Sequence, residues 1–426
     1  MVQEFEKISS VQGELELPGD KSISHRAVMF ASMAEGESRI INLSNSEDVK
    51  STKECFEALG VEFDETKEGL IVRGKGAGNF TAPFKPLYAG NSGTTTRLMS
   101  GFLIAQNFKS IITGDSSLSQ RPMKRVVTPL TAMGGSITCS DNDTLPILIK
   151  PVEKINAIEY NLPVPSAQIK SAVLVAGLHS KDITSVIEKF QSRNHTEKML
   201  DLKVEKTEKG IISYSSQVKY PIAKEYFIPS DISTAAFFVV LTLLSKNSSL
   251  LIKNVSLNET RTGYIEVLKK MGADISVENK GEKAGEEFGD IFVKYSSLTN
   301  VSIPDEIIPN IIDEIPILAV AGIFADGNFE IRNVSELRKK ETDRIKAVCE
   351  NLKLLQLNVE EFQDGFCVSG RSNDVKPEFQ SYGDHRIAMA FGILAMLLPH
   401  GGKIKGFECV KISNPRFLQQ VKKVIK

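Results

Sequence analysis

Apolar residues along this chain gather in six Ala-rich runs of helical length, and each run follows a small or polar residue. The starting residues are spaced by 71, 75, 65, 82 and 71 positions, and they are Asp20, Asn91, Ser166, Asp231, Asp313 and Asp384. Side-chain oxygens of Asp, Asn and Ser accept the unpaired N–H groups of a first helical turn, so the pattern predicts six capped helices. Six units of similar length would fill the chain. Chance similarity among Ala-rich helices is the alternative.

The first run shows the periodicity of an amphipathic helix. Ile23, Ala27, Phe30, Ala31 and Ala34 lie at positions i, i+4, i+7, i+8 and i+11 and would form one buried stripe. The other five runs are apolar nearly all round, which is typical of helices at the centre of a domain.

Short β-rich segments bounded by turn residues lie between the helical runs. Examples are GLIVRG at 69–74 and GFCVSG at 365–370. Each repeat therefore combines helices with short strands. The pattern predicts an α/β chain whose strands form several small sheets.

The composition indicates a globular protein and excludes several other classes. At about 150 residues per domain, 426 residues suggest two or three domains. The 52 basic and 53 acidic residues nearly cancel, so no general attraction to nucleic acid or to an anionic membrane is expected. The five cysteines include no CxxC pair, which argues against a disulfide framework and against a cysteine-rich metal site.

Neither a membrane span nor a signal peptide is predicted. The apolar stretch ISTAAFFVVLTLL near residue 240 has thirteen residues, fewer than the roughly 20 that span a bilayer. The first ten residues, MVQEFEKISS, include acidic residues and lack an apolar core. We therefore expect a cytoplasmic protein that binds neither nucleic acid nor membrane.

The predicted helix starts are candidate anion sites, because a helix N-terminus presents free N–H groups and a partial positive charge. In the first unit Lys21 and His25 are i, i+4 neighbours, as are Ser22 and Arg26, which places cations and a hydroxyl near one ligand. In the second unit Gly93 permits a close approach to the backbone. This pattern indicates a pocket for a small polyanion.

Further cations lie beside turn residues and would extend this pocket. They are Arg121, Lys124, Arg193, Lys340, Arg344 and Arg386, and Arg97 lies one helical turn after Gly93. Arginine suits phosphate and carboxylate because its guanidinium group makes bidentate contacts with them. Any single member of this set fits a surface salt bridge equally well, so only the set indicates a site.

Two acidic residues interrupt this basic pattern. Asp313 precedes an apolar helix, and Glu341 lies between Lys340 and Arg344. Carboxylates do not help a pocket to bind anions, so acidic residues that face it would be suited to proton transfer. Spacing alone leaves two alternatives open: Asp313 as a helix cap and Glu341 as an ion-pair partner.

Several other signals do not support a function. GKGAGN at 74–79 is followed by Pro83 and Pro86 where the helix of a dinucleotide site would begin, and no GxxxxGK[ST] segment occurs. The five histidines lack metal-ligand spacing such as HExxH, so no metal is expected. The charged stretch KGEKAGEEFGD at 280–290 is predicted to be a solvated loop.

Five segments together resemble the 5-enolpyruvylshikimate-3-phosphate synthase (EPSP synthase) family of enolpyruvyl transferases, and the resemblance covers essentially the whole chain. They are PGDKSISHRA, GNSGTTTRL, PSAQIKSAVLVAGL, RKKETDR and GDHRIAM. The resemblance implies a two-domain inverse α/β barrel of six βαβαββ-type repeats, three per domain, with helices inside and sheets outside. It also implies a discontinuous domain of residues 1–19 plus 231–426, an inserted domain of residues 20–230, and an active site in the interdomain cleft.

Members of this family transfer the enolpyruvyl group of phosphoenolpyruvate to the 5-hydroxyl of shikimate 3-phosphate, in the shikimate pathway of aromatic amino-acid biosynthesis. The resemblance implies no metal or organic cofactor, these two small-molecule substrates, and a monomer. The residues implied for shikimate 3-phosphate are Lys21, Ser22, Arg26, Ser166, Ala167, Gln168, Arg193, Asp313 and Lys340. Those implied for phosphoenolpyruvate are Lys21, Asn91, Gly93, Arg121, Gln168, Arg344 and Arg386.

The resemblance also implies roles in catalysis. Asp313 is the candidate base for the 5-hydroxyl, and Glu341, aided by Lys21, is the candidate for proton transfer at C3 of phosphoenolpyruvate. Arginine and lysine side chains would stabilise the phosphate electrostatically.

Three positions bear on how fully the family pattern applies. Alignment on Pro415 puts Ile412 where the family commonly has a lysine, and leaves Lys411 as a weak candidate. Ala167 replaces a hydroxyl residue found in one branch of the family. Gly93 stands where some glyphosate-tolerant relatives have alanine, so glyphosate is expected to compete with phosphoenolpyruvate.

Two rival functions remain to be weighed against this interpretation. The related UDP-N-acetylglucosamine enolpyruvyl transferase usually carries a reactive cysteine in a flexible loop, and the corresponding stretch here, SSLSQRPMKR, has none. A catalytically inactive anion-binding homologue would be expected to lose Asp313 or Glu341, and both residues are present.

Overall fold

The computed structural model describes residues 1–370 and 375–426 and separates into two compact units. Unit 1 comprises Met1–Pro18, Pro229–Gly281 and Glu287–Lys426. Unit 2 comprises Gly19–Ile228 and Glu282–Glu286.

Short strands and helices of moderate length alternate along the described residues. The strands are β1 (Val2–Phe5), β2 (Gln12–Glu16), β3 (Glu35–Ile41), β4 (Glu62–Thr66), β5 (Gly69–Lys75), β6 (Leu87–Tyr88), β7 (Ser110–Thr113), β8 (Ser136–Thr138), β9 (Ile147–Lys150), β10 (Glu159–Asn161), β11 (Thr184–Glu188), β12 (Val204–Thr207), β13 (Gly210–Ser215), β14 (Glu225–Phe227), β15 (Ser249–Ser256), β16 (Ile275–Lys283), β17 (Glu286–Lys294), β18 (Phe329–Ile331), β19 (Asn358–Phe362), β20 (Gly365–Ser369), β21 (Glu378–Gln380) and β22 (Gly402–Lys405). The α-helices are α1 (Lys21–Met33), α2 (Glu47–Ala58), α3 (Gly93–Leu103), α4 (Lys124–Ala132), α5 (Ala167–Gly177), α6 (His195–Leu200), α7 (Ile232–Leu244), α8 (Gly263–Lys270), α9 (Ile308–Ile311), α10 (Ile315–Phe324), α11 (Arg344–Lys353), α12 (His385–Leu397) and α13 (Phe417–Val424).

Unit 2 contains three four-stranded mixed sheets with the same internal order. The orders are β14-β3-β5-β4, β6-β7-β9-β8 and β10-β11-β13-β12. In each sheet the first two strands are parallel and the other neighbours are antiparallel. Strand β14 comes from the end of the unit and pairs with β3 near its start, with Phe227 opposite Ile41. The last strand of the unit therefore completes the sheet of its first repeat.

Unit 1 also contains three sheets, and the beginning of the chain supplies strands to two of them. The orders are β16-β17-β15-β2, β18-β20-β19 and β1-β22-β21. Strand β2 is parallel to β15, and β1 is antiparallel to β22. One mixed or antiparallel sheet for each predicted repeat confirms the α/β fold of six units.

Each unit is organised around three buried helices and has its own apolar core. These helices are α1, α3 and α5 in unit 2, and α7, α10 and α12 in unit 1. Five of them bury almost all of their residues, as their uniformly apolar sequences predict. The prediction that α1 buries a single stripe is wrong. His25 and Arg26 are buried as well, and they have hydrogen-bond partners inside the unit.

The charged stretch at 280–290 is not the solvated loop that its composition predicts. Most of it belongs to strands β16 and β17. Glu286 is buried in unit 2, where one carboxylate oxygen lies 2.8 Å from Nδ1 of His195. Composition fails here because the buried carboxyl group pairs with a side chain 91 residues away in the chain.

Within residues 1–370 and 375–426, no single helix is both long and apolar enough to cross a membrane. Two consecutive helical segments, Asp305–Ile311 and Ile315–Phe324, together reach the length and composition of a span but are bent by 113°.

Candidate active site

Three helix starts in unit 2 carry most of the predicted ligand residues. Asp20 caps α1 by accepting a hydrogen bond from the N–H of Ile23, and Ser166 caps α5, as predicted. The prediction for Asn91 is wrong, since the neighbouring Ser92 caps α3 by accepting from Thr95. Asn91 is thereby left available for contacts with side chains.

The beginning of α1 presents a lysine and a hydroxyl that other segments of unit 2 hold in position. Nζ of Lys21 lies 2.8 Å from a carboxylate oxygen of Asp48, and both side chains are largely buried. The Ser22 hydroxyl accepts a hydrogen bond of 3.3 Å from the guanidinium of Arg193. Lys21, Ser22 and Arg193 are only partly buried, so part of each side chain can meet a ligand.

Arg26 is buried deeper than its predicted role suggests. Its Nε donates to the hydroxyl of Thr196 and its Nη2 to the hydroxyl of Ser171, both at 2.7 Å, while Nη1 donates to the carbonyl of Ser22. Burial lowers the pKa of Arg26 to about 10, and the charge of Glu197 opposes this effect. The cation is therefore anchored by neutral hydroxyls beneath the start of α1.

His25 does not add a second cation to this group. The side chain is 1% exposed, and burial, with the charges of Lys21 and Arg26, lowers its pKa well below the usual value. Its Nδ1 lies 2.7 Å from the hydroxyl of Thr52. His25 does lie one helical turn after Lys21, as the pattern predicts, but its imidazole is neutral and faces the interior.

The start of α3 brings Asn91 and Arg121 together. Oδ1 of Asn91 accepts a hydrogen bond of 2.6 Å from Nη2 of Arg121, and its Nδ2 donates to Asp115. A Cβ atom on Gly93 would lie 2.6 Å from Nη1 of Arg97 and 3.6 Å from Nη1 of Arg121. The first turn of α3 is therefore lined by two guanidinium groups, which suits a small anion.

The start of α5 adds a polar side chain to the same region of unit 2. Oε1 of Gln168 accepts from Nη1 of Arg97 at 2.5 Å, and its Nε2 donates to the hydroxyl of Thr94 at 2.9 Å. Ser166 and Ala167 lie beside it and are partly buried. Helix starts α3 and α5 are thus joined directly through Gln168.

In unit 1, Asp313 is not the cap of the apolar helix that follows it. Helix α10 begins at Ile315, its N-cap position is Glu314, and no side chain caps it. The Asp313 carboxylate instead lies 3.0 Å from Arg344, 3.4 Å from Lys340 and 3.6 Å from Arg386. This arrangement rules out the capping alternative and gathers three predicted cations around one carboxylate.

Arg344 occupies the centre of this cation group and is only 1% exposed. Besides Asp313, its guanidinium contacts Asp384 at 2.7 Å and Glu341 at 2.6 Å. Burial opposes the charge, but these three carboxylates outweigh it and raise the pKa of Arg344. Glu341 therefore forms an ion pair with Arg344 and lies in the same cluster as Asp313.

Arg386 follows the cap of α12 and contacts both Asp313 and Glu314. Asp384 caps the helix by accepting from the backbone N–H of Arg386. The Arg386 guanidinium donates to the backbone carbonyl of Asp313 at 3.0 Å and lies 3.4 Å from Glu314. Lys411, the weak candidate near the C-terminus, is exposed and Ile412 is partly buried.

Several residues of these clusters escaped the sequence patterns. Asp48 holds Lys21, and Glu314 contacts Arg386 and accepts a hydrogen bond from Ser233. Asp48 lies in the first turn of an ordinary amphipathic helix, which gives no signal of a site. Glu314 is adjacent to Asp313 in the sequence, and that adjacency was the one available signal.

Among residues 1–370 and 375–426, no group of three or more His, Cys, Asp or Glu side chains is arranged to hold a metal ion. The cations described above are instead arranged around carboxylates, amides and hydroxyls. Each unit contains a group of cations with at least one arginine, a side chain suited to phosphate or carboxylate.

Comparison with known proteins agrees with this chemistry. The family model described as EPSP synthase (3-phosphoshikimate 1-carboxyvinyltransferase) matches residues 5–421. A protein named 3-phosphoshikimate 1-carboxyvinyltransferase from Petrotoga mobilis is 46% identical, with 97% of each chain covered. One of the same name from Salinibacter ruber is 43% identical, with 100% of this chain and 99% of the relative covered.

Solved structures show the same likeness. EPSP synthase from Acinetobacter baumannii superposes with a TM-score of 0.86 and 38% identity, over 100% of this chain and 98% of the other. The enolpyruvyl transferase NikO from Streptomyces tendae reaches a TM-score of 0.76 over 100% of this chain and 97% of the other. At 13% identity, the second comparison shows a shared fold alone.

Proposed function

Because the chain belongs to the EPSP synthase family, we propose that it transfers the enolpyruvyl group of phosphoenolpyruvate to the 5-hydroxyl of shikimate 3-phosphate. The products are 5-enolpyruvylshikimate 3-phosphate and phosphate. Each substrate carries one phosphate and one carboxylate. Such ligands require a local concentration of arginine and lysine groups, because a chain of net charge −1 has no general attraction for anions.

The observation that carries this proposal is the position of Asp313. The Asp313 carboxylate is surrounded by Lys340, Arg344 and Arg386, it does not itself attract an anion, and it does not cap its helix. Paired cations favour the ionised carboxylate, which is the form that a base needs. Asp313 accordingly accepts the proton of the attacking 5-hydroxyl.

The ligand residues follow the motif matches, and the side-chain contacts support them. Shikimate 3-phosphate is assigned to a set that includes Ser22 and Arg193, which share a hydrogen bond. The full set is Lys21, Ser22, Arg26, Ser166, Ala167, Gln168, Arg193, Asp313 and Lys340. Arg26 acts from beneath this set, since all of its nitrogen atoms donate to protein oxygens.

Phosphoenolpyruvate is assigned to the guanidinium groups near Gly93 and to the arginines of unit 1. The set is Lys21, Asn91, Gly93, Arg121, Gln168, Arg344 and Arg386. Arg121 is oriented by Asn91, and Arg344 by three carboxylates. Preorganised cations of this kind stabilise charge that develops on a leaving phosphate, because they need not reorient during the reaction.

The reaction proceeds by addition and elimination. The 5-hydroxyl oxygen attacks C2 of phosphoenolpyruvate while C3 gains a proton, which produces a tetrahedral ketal phosphate. This intermediate then loses a proton from C3 and expels phosphate. Glu341, aided by Lys21, carries the proton at C3.

The remaining elements of the proposal concern partners and location. Glyphosate competes with phosphoenolpyruvate for the groups around Gly93. The protein acts as a monomer in the cytoplasm. Its proposed domains, residues 20–230 and residues 1–19 plus 231–426, differ from the two compact units by one or two residues at the crossings and by the segment Glu282–Glu286, which belongs to unit 2.

A phosphate-release assay tests the proposed function. Protein dialysed against a chelator is mixed with phosphoenolpyruvate and shikimate 3-phosphate, and UDP-N-acetylglucosamine replaces the acceptor in a parallel reaction. Release with shikimate 3-phosphate alone is the expected result. Release with the nucleotide sugar alone would assign the sister activity, and release with neither despite binding would indicate an inactive homologue.

A further inference from the structure

Unit 2 buries an ion cluster that contains none of the proposed substrate ligands. Nζ of Lys170 lies 2.5 Å from Oε1 of Glu188 and 2.8 Å from Oε1 of Glu197. These side chains are between 1% and 3% exposed, so a substrate cannot touch them. Burial disfavours the charge of Lys170, but Glu197 and Glu188 outweigh it and raise the pKa of its ammonium group.

A buried ion cluster of this kind is a costly way to stabilise a fold. Removing charges from water costs several kcal/mol per ion, and well-packed apolar residues often do as well or better. What the charges provide is hydrogen bonds of defined direction. The contacts of the cluster therefore indicate which groups it holds in position.

On one side the cluster fixes the residue that precedes Arg193. Oε2 of Glu188 accepts hydrogen bonds from both the backbone N–H of Ser192, at 3.1 Å, and its hydroxyl, at 2.6 Å. Nζ of Lys170 donates to the carbonyl of Ser192 at 3.3 Å. Three bonds thus hold one residue of the segment between β11 and α6, and Arg193 extends from the next position to Ser22.

On the other side the cluster supports Arg26. Glu197 follows Thr196, whose hydroxyl accepts from Nε of Arg26 at 2.7 Å. Nη2 of Arg26 donates to Ser171, which follows Lys170 in α5. Glu197 is also the largest favourable charge acting on Arg26, whose pKa burial lowers to about 10. Both arginines assigned to shikimate 3-phosphate are therefore held by residues adjacent to the cluster.

We propose that Lys170, Glu188 and Glu197 are positioning residues, which hold Arg193 and Arg26 in the geometry that binds shikimate 3-phosphate. This inference rests on the proposed function, because that function supplies the ligand of the two arginines. The arginines assigned to phosphoenolpyruvate, Arg121, Arg344 and Arg386, have other partners. The cluster accordingly governs affinity for one substrate and leaves the other unaffected.

Two conservative variants test the proposal. Ser192→Ala removes the hydroxyl that donates to Glu188 and leaves every charge in place. Glu188→Gln keeps the size of the side chain and removes one charge from the cluster. The matched control is Ser110→Ala, which removes a buried hydroxyl that has no hydrogen-bond partner in the described structure.

The measurements are the dissociation constant of shikimate 3-phosphate by calorimetry, KM for each substrate, kcat and the melting temperature. For Ser192→Ala and Glu188→Gln we expect the dissociation constant and KM for shikimate 3-phosphate to rise about tenfold, as for a lost hydrogen bond to a charged group. KM for phosphoenolpyruvate should stay near the wild-type value. Ser110→Ala should change none of the substrate constants.

The outcomes separate the positioning role from a merely structural one. A lower melting temperature with unchanged affinity for shikimate 3-phosphate would overturn the proposal, as would equal rises in KM for both substrates. If Glu188→Gln does not fold, Ser192→Ala decides the question alone. Wild-type protein tests the proposed function separately: absence of binding and turnover with shikimate 3-phosphate would overturn both, whereas an active wild type with unaffected variants overturns only the positioning role.

Discussion

Oδ1 of Asp313 lies 3.0 Å from Nη1 of Arg344, so the carboxylate belongs to a group of cations and not to the cap of helix α10. This relationship makes Asp313 the side chain whose chemistry is most directly testable. Asn at this position retains an oxygen that accepts a hydrogen bond from Arg344, but an amide cannot take up a proton at neutral pH.

We therefore expect Asp313→Asn to lower kcat by about 10²- to 10⁴-fold, the usual contribution of a general base. Binding of shikimate 3-phosphate, measured by calorimetry, should be largely preserved. Asp313→Ala should abolish turnover in the same way. Asp343→Asn is the matched control, because Asp343 caps α11 and Asn caps a helix equally well. Equal losses of binding and turnover would contradict a role in proton transfer.

A methyl group at position 93 should lower the affinity of the assigned site for phosphoenolpyruvate. The added Cβ would lie 2.6 Å from Nη1 of Arg97, so this flexible guanidinium must move away from Gln168. For Gly93→Ala we expect weaker inhibition by glyphosate and a higher KM for phosphoenolpyruvate, with little change in KM for shikimate 3-phosphate. Inhibition by glyphosate at wild-type strength would remove this loop from the assigned site.

Asn91 should act on phosphoenolpyruvate through Arg121. Asn91→Ala removes the oxygen that accepts from Nη2 of Arg121 at 2.6 Å, so the guanidinium loses this short hydrogen bond. We expect KM for phosphoenolpyruvate to rise about tenfold. Ser117→Ala removes a longer bond to the same nitrogen, at 3.3 Å, and should have a smaller effect. The reverse order in steady-state kinetics would show that Asn91 does not orient Arg121.

Stability should depend on pH through His179. Burial lowers its pKa to about 4, from 6.5, and the ring packs against Phe102 and Tyr220. Between these two pH values the unfolded chain binds a proton that the folded protein does not bind. The contribution of neutral His179 to the free energy of unfolding is therefore fully present above pH 6.5. It is lost as the pH falls towards 4, by up to about 1.4 kcal/mol per pH unit.

His179→Phe keeps an aromatic ring at this position and removes the titration. The free energy of unfolding, from urea titrations between pH 6.5 and 4.5, should then fall less steeply with decreasing pH than in the wild type. An identical slope in both proteins would mean that His179 is protonated in the folded state.

Local rules predicted the helix starts well where one residue acts alone. Asp20, Ser166, Asp231 and Asp384 cap their helices because the acceptor and the N–H groups lie within three residues of each other. The prediction that Asn91 caps α3 was wrong because the adjacent Ser92 accepts the hydrogen bond from the first turn instead. Spacing cannot distinguish two adjacent acceptors.

Long-range contacts set the limit of sequence reasoning for the site. Spacing left Asp313 undecided between capping and chemistry, because its neighbours Arg344 and Arg386 are 31 and 73 residues away. The family resemblance, which the comparisons confirm, named these residues together. No sequence pattern assigned a role to Lys170. The carboxylates that a lysine in an apolar helix contacts are known only from the folded structure.

The pairing of β14 with β3 has a consequence for synthesis on the ribosome. Apart from the short segment Glu282–Glu286, unit 2 consists of one continuous stretch of chain, and its first sheet is complete once Phe227 can pair with Ile41. Unit 1 differs, because β1 pairs with β22 and Val11 forms a bridge with Ile425. Domains emerging from the ribosome generally fold as units, from the N-terminus onward. The first eighteen residues of this chain are thus made before unit 2 and acquire their last partners only after β22 and Ile425 have been made.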